Sequence, residues 1–594
     1  MTPSSELLES AREHIGFIQK SLQDTQVSLT AQYIKMAEQY KKAEGSERIT
    51  LSTLLQYTQK RQLELSALEP SPYFSRCDIS SEEKNMNIYI GKFSYPEESV
   101  VSWISPISTL RFAHPGKANY TTPDRAQKEV ILTRKDEYMI KDSKIMFFAT
   151  ETREAARTLI YQEHFSNRKT GFILPEIIAR MEEAQDKVIR SSWRGPLVIS
   201  GPAGSGKTTL ALHRVAYLMQ VPEVRDNFPG HRIRVFVQDQ GTKSYFSALL
   251  PDLGIDNVEI TTFQDWAYDI LGLSQGKQIV KLQEEYIEDT ITLQKIEILH
   301  GVRGPLEGKP IEWLKSLYKN NFHTQLDIVL ERIDNTTLDD IDLTLLLHAY
   351  KKAHGSLHES REYLVQQKNS YEVKRKIGRF AVSYNLCVVD EFQNYLPEQL
   401  QLIRGCMNDE TQSLVYVGDM RQQTRFGTIQ SWQQIGESID DSRSIILEKV
   451  YRNTKAILRY IQSVGYDIAI PEALPEGIPV ETLPNTRETQ EYICSLALAK
   501  NDRLIGILAK DFDILAPYQH LKSEKHIKVL TVREAQGVEF DTVFFVGNAP
   551  ATWHLDTTSY PLEIQQEKQR INKDLLYVGL TRAMQELYVV GDIV

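Results

Sequence analysis

Residues 196–208 read PLVISGPAGSGKT, an apolar run that passes straight into a glycine-rich loop and then into the helical pattern TLALHRVAYL. This segment restricts the fold sharply. A strand that ends in such a loop and is followed by a helix belongs in a parallel sheet covered by helices, with the loop at the carboxyl edge of the strands. The chemistry is restricted as well. In the run Gly201-Pro202-Ala203-Gly204-Ser205-Gly206-Lys207-Thr208-Thr209 the glycines let backbone N–H groups turn inward around a β-phosphate. Lys207 supplies positive charge to the β and γ oxygens, and the Thr208 hydroxyl suits Mg2+, at a helix N-terminus whose dipole favours anions.

Nucleotide hydrolysis also needs a carboxylate for Mg2+ and a group that orients or deprotonates water. The segment LCVVDEFQ (386–393) supplies both, because four apolar residues form a buried strand and Asp390 and Glu391 emerge at its carboxyl end. Asp390 is expected to hold the metal and Glu391 to position water.

The α/β rhythm occupies 196–271 and resumes near residue 384. Around it, the chain divides into a helical hairpin (1–70), a β-rich module (71–165), a first α/β unit in two parts (166–271 and 377–444) split by a polar helical insertion (272–376), and a second α/β unit (445–594). In the hairpin, Leu8, Ala11, Ile15, Ile18, Leu22, Thr25, Leu29 and Met36 keep a three-four spacing. Gly45-Ser46 breaks that pattern, and a second stripe (Leu51, Leu54, Leu55, Thr58, Leu65, Leu68) ends at Pro70. Lys141-Asp142-Ser143 reads as a β-hairpin turn. The insertion carries a small acidic cluster at Asp334, Asp339, Asp340 and Asp342.

With 594 residues, 41% hydrophobic and 25% charged, the composition excludes wholesale disorder. The net charge of −10 gives no overall basic footprint for clamping duplex phosphates and points toward a protein partner. Cys77, Cys387, Cys406 and Cys494 lie far apart with no C-x-x-C spacing, so neither disulfides nor zinc is expected. No secretory leader or apolar stretch of membrane-spanning length is present, which predicts a cytoplasmic protein.

Further segments resemble superfamily 1 helicases of the UvrD/Rep type, in the family's order. DEFQ resembles the D-E-x-Q box. The resemblance implies two RecA-like units with ATP between them, and assigns Gln185 to adenine, Gln422 of VGDMRQQ to γ-phosphate sensing, and Tyr451 and Arg452 of LEKVYRN to adenine stacking and the γ-phosphate. In LTVREAQGVEF it assigns Glu539 to ribose and Thr531 to the nucleic-acid track, and in YVGLTRA it makes Arg582 the arginine finger.

The stretches SPYFSRCD, NIYIGKFS, VVSWISPIS and ILTRKDEYMIKDSKIMFF in residues 71–148 resemble the N-terminal region of the HelD family, RNA-polymerase-associated superfamily 1 ATPases. That resemblance implies an N-terminal hairpin and a motor insertion that enter polymerase channels and displace nucleic acid at the expense of ATP. About 80 residues separate Arg452 from Thr531, too few for the large accessory domain of UvrD-type unwinding enzymes. The insertion's 15 Lys+Arg against 16 Asp+Glu make no basic track. The chain departs from the pattern at Trp103-Ile104-Ser105-Pro106, where the family has W-R-A-P, at Thr209, where UvrD-type enzymes have arginine, and in a hairpin turn, AEGSER, without a dense carboxylate tip. Phe426 and Trp432 are the candidates for base stacking. The expectation is an ATP- and Mg2+-dependent motor that binds and recycles RNA polymerase. The alternatives are a 3′-5′ single-stranded DNA translocase or helicase in repair or anti-phage defence, and a nucleotide switch that holds a partner.

Overall fold

The computed structural model describes residues 5–593 except 81–84, 123–125, 153–182, 202–205, 251, 252, 254, 256, 275–284, 303, 336, 367–372, 421, 448–452, 469, 471–473, 502, 537 and 554–559. Helices α1 (Ser5–Lys42) and α2 (Gly45–Leu68) run antiparallel. The turn closes at Ala43–Glu44, just before the expected break, and Gly45 takes φ +58°, a conformation that costs glycine little. Ala11, Ile15, Ile18 and Leu22 share one core with Leu65, Leu68 and the tyrosines Tyr73, Tyr89, Tyr95 and Tyr138 of the neighbouring sheet. The hairpin is therefore rooted at its base, while its outer half leaves Val27, Ile34, Ile49 and Tyr57 exposed.

That sheet holds β1 (Ser75–Ser80), β2 (Asn85–Gly91), β3 (Val100–Ser102), β4 (Gly116–Thr121), β5 (Gln127–Lys141) and β6 (Lys144–Thr152), in the order β3-β2-β1-β5-β4 with β6 on β5. Asp142 and Ser143 link β5 to β6 with φ of +46° and +67°, the handedness that matches strand twist in a two-residue turn.

The first α/β unit begins with α3 (Glu183–Arg190), β7 (Leu197–Ser200), α4 (Lys207–Gln220), β8 (Ile233–Val237) and β9 (Glu259–Thr262). The chain then leaves for α5 (Glu285–Gly301), α6 (Pro310–Asn321), α7 (Leu326–Asp334) and α8 (Asp340–His354). It returns through an antiparallel hairpin, β10 (His358–Gln366) and β11 (Val373–Ala381), to β12 (Leu386–Asp390), β13 (Ser413–Gly418) and β14 (Ser444–Ile446). All strand pairs in the sheet β14-β7-β13-β12-β8-β9 are parallel. β8, β12 and β13 are buried at every position, as strands covered on both faces must be.

The insertion is thus not wholly helical. The β10–β11 pair carries a cross-strand Tyr363–Phe380 contact (5.4 Å between ring centroids), and its polar, solvated strands hide the alternation that would mark it in sequence. The boundary expected at 444/445 also cuts through β14, which pairs with β7. The acidic cluster is consumed by cations: Asp339 and Asp342 hold the buried Lys295, Asp334 pairs with Lys315, and Asp340 with Arg425. Asp339 and Asp342 also close a capping box at the start of α8.

The second unit comprises β15 (Glu481–Leu483), β16 (Ile505–Ala509), β17 (Ile527–Thr531), β18 (Phe540–Asn548), α9 (Leu562–Thr581) and β19 (Ala583–Gly591), in the all-parallel order β15-β19-β18-β16-β17. The architecture is α/β, with two RecA-like sheets, an insertion, an N-terminal helical hairpin and a β-rich module. Among the described residues no helix is long and apolar enough to cross a membrane.

His14 on α1 stacks on Tyr89 (centroids 4.1 Å apart) and meets the Tyr73 hydroxyl at 3.3 Å. Burial, then the charge of Arg76, lowers its pKa from 6.5 to about 4. Protonation consequently favours the undocked hairpin. Docking keeps its full strength above pH 6.5 and weakens as pH falls from 6.5 toward 4. Hydrogen exchange across residues 5–25 should therefore accelerate at pH 5 relative to pH 7, after correction for intrinsic rates, and His14→Phe should flatten the difference. Equal protection of the wild-type chain at both pH values would refute this.

Candidate active site

Gly206, at φ +82°, turns the chain into α4, and Lys207 and Thr208 occupy the first positions of that helix. The Lys207 ammonium is buried and donates to the Gly201 carbonyl at 2.9 Å, folding back over the loop. Pro202, Ala203, Gly204 and Ser205 lie outside the described residues. The Thr208 hydroxyl donates to Asp390 Oδ1 at 2.8 Å, although the two residues are 182 positions apart. They meet because β7 and β12 flank β13 in one parallel sheet and so end at the same edge.

Asp390 is buried beside Glu391, and burial, then that second carboxylate, pushes its pKa up to about 7. A buried carboxylate facing a hydroxyl and another carboxylate is a hard-oxygen donor set of the kind that suits a divalent cation. Asp390 and Thr208 therefore fit Mg2+.

Glu391 adopts φ +50°, left-handed for a residue with a side chain, at the end of a fully buried strand. Gln393 steadies it: its Nε2 donates to Glu391 Oε2 at 2.5 Å, while its Oε1 accepts from the Asp419 amide at 3.1 Å. Gln422 is buried and donates to Asp419 Oδ2 at 3.1 Å. Two segments read separately in sequence, 390–394 and 418–422, are thus one hydrogen-bonded unit. Asn394 extends it by accepting from Thr424, whose hydroxyl reaches Gln536 of the second motor unit at 3.2 Å.

Direct contacts join the two units. Asp574 accepts from the Gln423 amide at 3.0 Å, and Glu567 from the Gly427 amide at 3.0 Å. Lys568 on α9 has no exposed surface and pairs with Glu285 and Asp289 of α5, with Tyr560 also donating to Asp289 at 2.8 Å. Arg582, which follows α9, is buried in its own unit and donates to the carbonyls of Val578 (3.1 Å) and Val538 (3.4 Å). Glu539 is half-buried just before β18, and Thr531 donates to Glu534 through both its amide and hydroxyl. Gln185 lies on α3, and the Thr209 carbonyl meets His213 Nδ1 at 2.7 Å. Tyr451 and Arg452 lie outside the described residues.

Two family models match this chain: that of the UvrD-like helicase C-terminal domain over residues 277–591, and that of the DNA helicase IV HelD N-terminal domain over residues 8–159. The chain belongs to the HelD-like superfamily 1 helicases. The ATP-dependent DNA helicase PcrA of Staphylococcus epidermidis is 23% identical over 308 residues, 48% of this chain and 40% of that protein. The PcrA of Staphylococcus aureus is 22% identical over 395 residues, 63% and 51% respectively. This HelD-like chain thus spans about half or less of the length of these curated relatives. A crystal structure of Pif1 helicase from Candida albicans aligns with a TM-score of 0.29 and 12% identity, covering 69% of this chain and 94% of that one.

Neither aromatic considered for base stacking presents a free ring. Phe426 is buried beneath the Lys568 ammonium, and Trp432 packs on Phe392 and Tyr416, each 5.0 Å away between centroids. Sequence reasoning passed over Gln393, which reads only as part of a motif, and Arg214, a charge within the apolar run of α4. Arg214 is fully buried and gives its guanidinium to the carbonyls of Val188, Ile189, Ser191 and Ser192, at the carboxyl end of α3. Burial and Arg443 lower its pKa to about 9, so it remains charged at neutral pH and complements the helix dipole there. The only hint in the sequence is a cation where a helix face should be apolar.

A methyl group on Gly418 would stand 2.0 Å from Gln393 Oε1. Gly418→Ala should therefore displace the Gln393 amide and cost about 1–3 kcal/mol, as overpacking in a closed site does. Denaturant melts would show this, and unchanged stability would disprove the tight approach of β13 to Gln393.

Proposed function

We propose that this chain is an ATP-hydrolysing motor that binds RNA polymerase and recycles it by displacing nucleic acid. The observation that carries the ATPase part is the convergence of Lys207, Thr208, Asp390 and Glu391 at one sheet edge. In this reading Gly201 through Thr209 bind the phosphates, Gln185 and Tyr451 hold adenine, and Glu539 meets the ribose. Thr208 and Asp390 hold Mg2+, which when bound neutralises charge developing on the β and γ oxygens. Glu391, fixed by Gln393, orients the attacking water, and Gln422 registers the γ-phosphate. Arg452 and Arg582 stabilise the transferring phosphoryl group from the second unit. For Arg582 to act, the Val538 and Val578 carbonyls must release it, which makes closure of the two units part of the catalytic step.

Support for polymerase as the partner comes from the HelD N-terminal-domain match over 8–159 and from a helical hairpin rooted at its base with apolar side chains exposed beyond it. The net charge of −10 favours a nucleoprotein machine in the cytoplasm over bare duplex. The second reading, a single-stranded DNA translocase, draws on the similarity to proteins named ATP-dependent DNA helicase.

Glu391→Gln should retain nucleotide binding and lower turnover by roughly 10²- to 10⁴-fold, the usual contribution of a positioned acid-base group. Arg582→Ala should do likewise by roughly 10³- to 10⁵-fold. Wild-type turnover in either variant rejects its assigned role. Purified polymerase should be retained by the full chain and lost on deletion of residues 1–69. Absence of binding by both, together with ATPase stimulation by single-stranded DNA, decides for the translocase.

A further inference from the structure

Arg190 closes the carboxyl end of α3, the helix that carries Gln185. Its guanidinium is largely buried, and three partners lie in the β-rich module. Nη1 donates to the Ile104 carbonyl at 3.0 Å, and Nη2 to the Trp103 carbonyl at 2.7 Å and the Ser108 hydroxyl at 3.1 Å. The remaining edge donates from Nε to Asp186, beside Gln185, at 2.7 Å, and the plane lies over Tyr217 of α4. Trp103 in turn sets its ring edge-on to His213 of α4, 5.7 Å away. One arginine therefore holds the Trp103–Ser108 turn, the adenine-side helix and the helix that follows the phosphate loop in a single arrangement.

We propose that Arg190 is a positioning residue for adenine recognition, through which the β-rich module forms part of the nucleotide site. The proposal rests on the reading of Gln185 as the adenine contact. Physically, a fork of charge-assisted hydrogen bonds into backbone carbonyls is directional, so a shift of the 103–108 turn must either rotate α3 or break the fork. Rotation moves Gln185 relative to α4, which begins with Lys207 and Thr208. Because coupling between sites is reciprocal, ATP binding must also bias the module's arrangement. The turn is also where this chain has Ile104 in place of the family's arginine, and the contribution of residue 104 to the fork comes from its carbonyl, which any side chain provides.

The test is steady-state kinetics with ATP and GTP on the full chain, comparing wild type with Arg190→Met, Arg190→Lys, Ser108→Ala and Gln185→Ala, with melting temperatures alongside. Wild type should prefer ATP, and Gln185→Ala should remove the preference. Arg190→Met should raise KM for ATP while kcat changes little, cutting the ATP:GTP ratio of kcat/KM by roughly 5-fold or more, the lower end of ordinary coupling between sites. Ser108→Ala should move the ratio in the same direction by less, and Arg190→Lys should restore part of it. A merely structural role would lower both nucleotides' rates together and leave the ratio intact. An unchanged ratio in Ser108→Ala and Arg190→Met, with Gln185→Ala still abolishing the preference, overturns the coupling alone. Should Arg190→Met not fold, an unchanged ratio in Ser108→Ala and Arg190→Lys overturns it equally. A wild-type chain that uses ATP and GTP equally overturns the Gln185 reading and this inference with it.

Discussion

The hydrogen bond from Thr208 to Asp390 is the contact around which the motor is arranged. It forms only if β7 and β12 end at the same edge of a parallel sheet, and that in turn requires the whole insertion to leave and return between β9 and β12 without disturbing the strand order. A carboxylate buried there is unfavourable by itself. Desolvation and the adjacent Glu391 raise its pKa, and Glu391 itself carries backbone strain in its left-handed conformation. Such strain persists because fully buried strands and the Gln393 bridge leave the chain no alternative path.

A second constraint lies between the insertion and the second RecA-like unit. Lys568 is fully buried between Glu285 and Asp289, and breaking such a group apart leaves its charge buried and uncompensated. One helix, α9, carries Lys568 in its first half and is followed directly by Arg582, so it joins the buried ion group to the proposed finger. The insertion, through α5, thereby contacts the second unit directly.

At the other end of the chain, the hairpin base, the tyrosine-rich sheet and the Trp103–Ser108 turn form a continuous path to α3. Each step is a specific contact: His14 on Tyr89, Tyr138 against Tyr73, Arg190 on the carbonyls of Trp103 and Ile104. The base of the hairpin is thus linked through the sheet and the Trp103–Ser108 turn to α3, which carries Gln185.

Much of the motor was legible in the residues themselves. Continuous apolar runs announce doubly covered parallel strands, and a glycine-rich turn between strand and helix announces an anion site, because both depend on local chain geometry. The family's motif order placed Asp390, Glu391, Gln422 and Arg582 in one reading, and the hairpin stripes of α1 and α2 followed from their three-four spacing. Only the tertiary structure decided the rest. That Gln393 ties Glu391 to Asp419, that the acidic residues of α8 serve Lys295, that Phe426 and Trp432 face protein, and that Arg190 and Arg214 bind carbonyls on α3 and the N-terminal turn all depend on partners distant in sequence, whereas the Gln393–Glu391 bond and the α8 cap are local. A buried cation satisfied by carbonyl oxygens leaves no complementary residue type in the sequence, since every residue carries a carbonyl, and the partner is chosen by the fold.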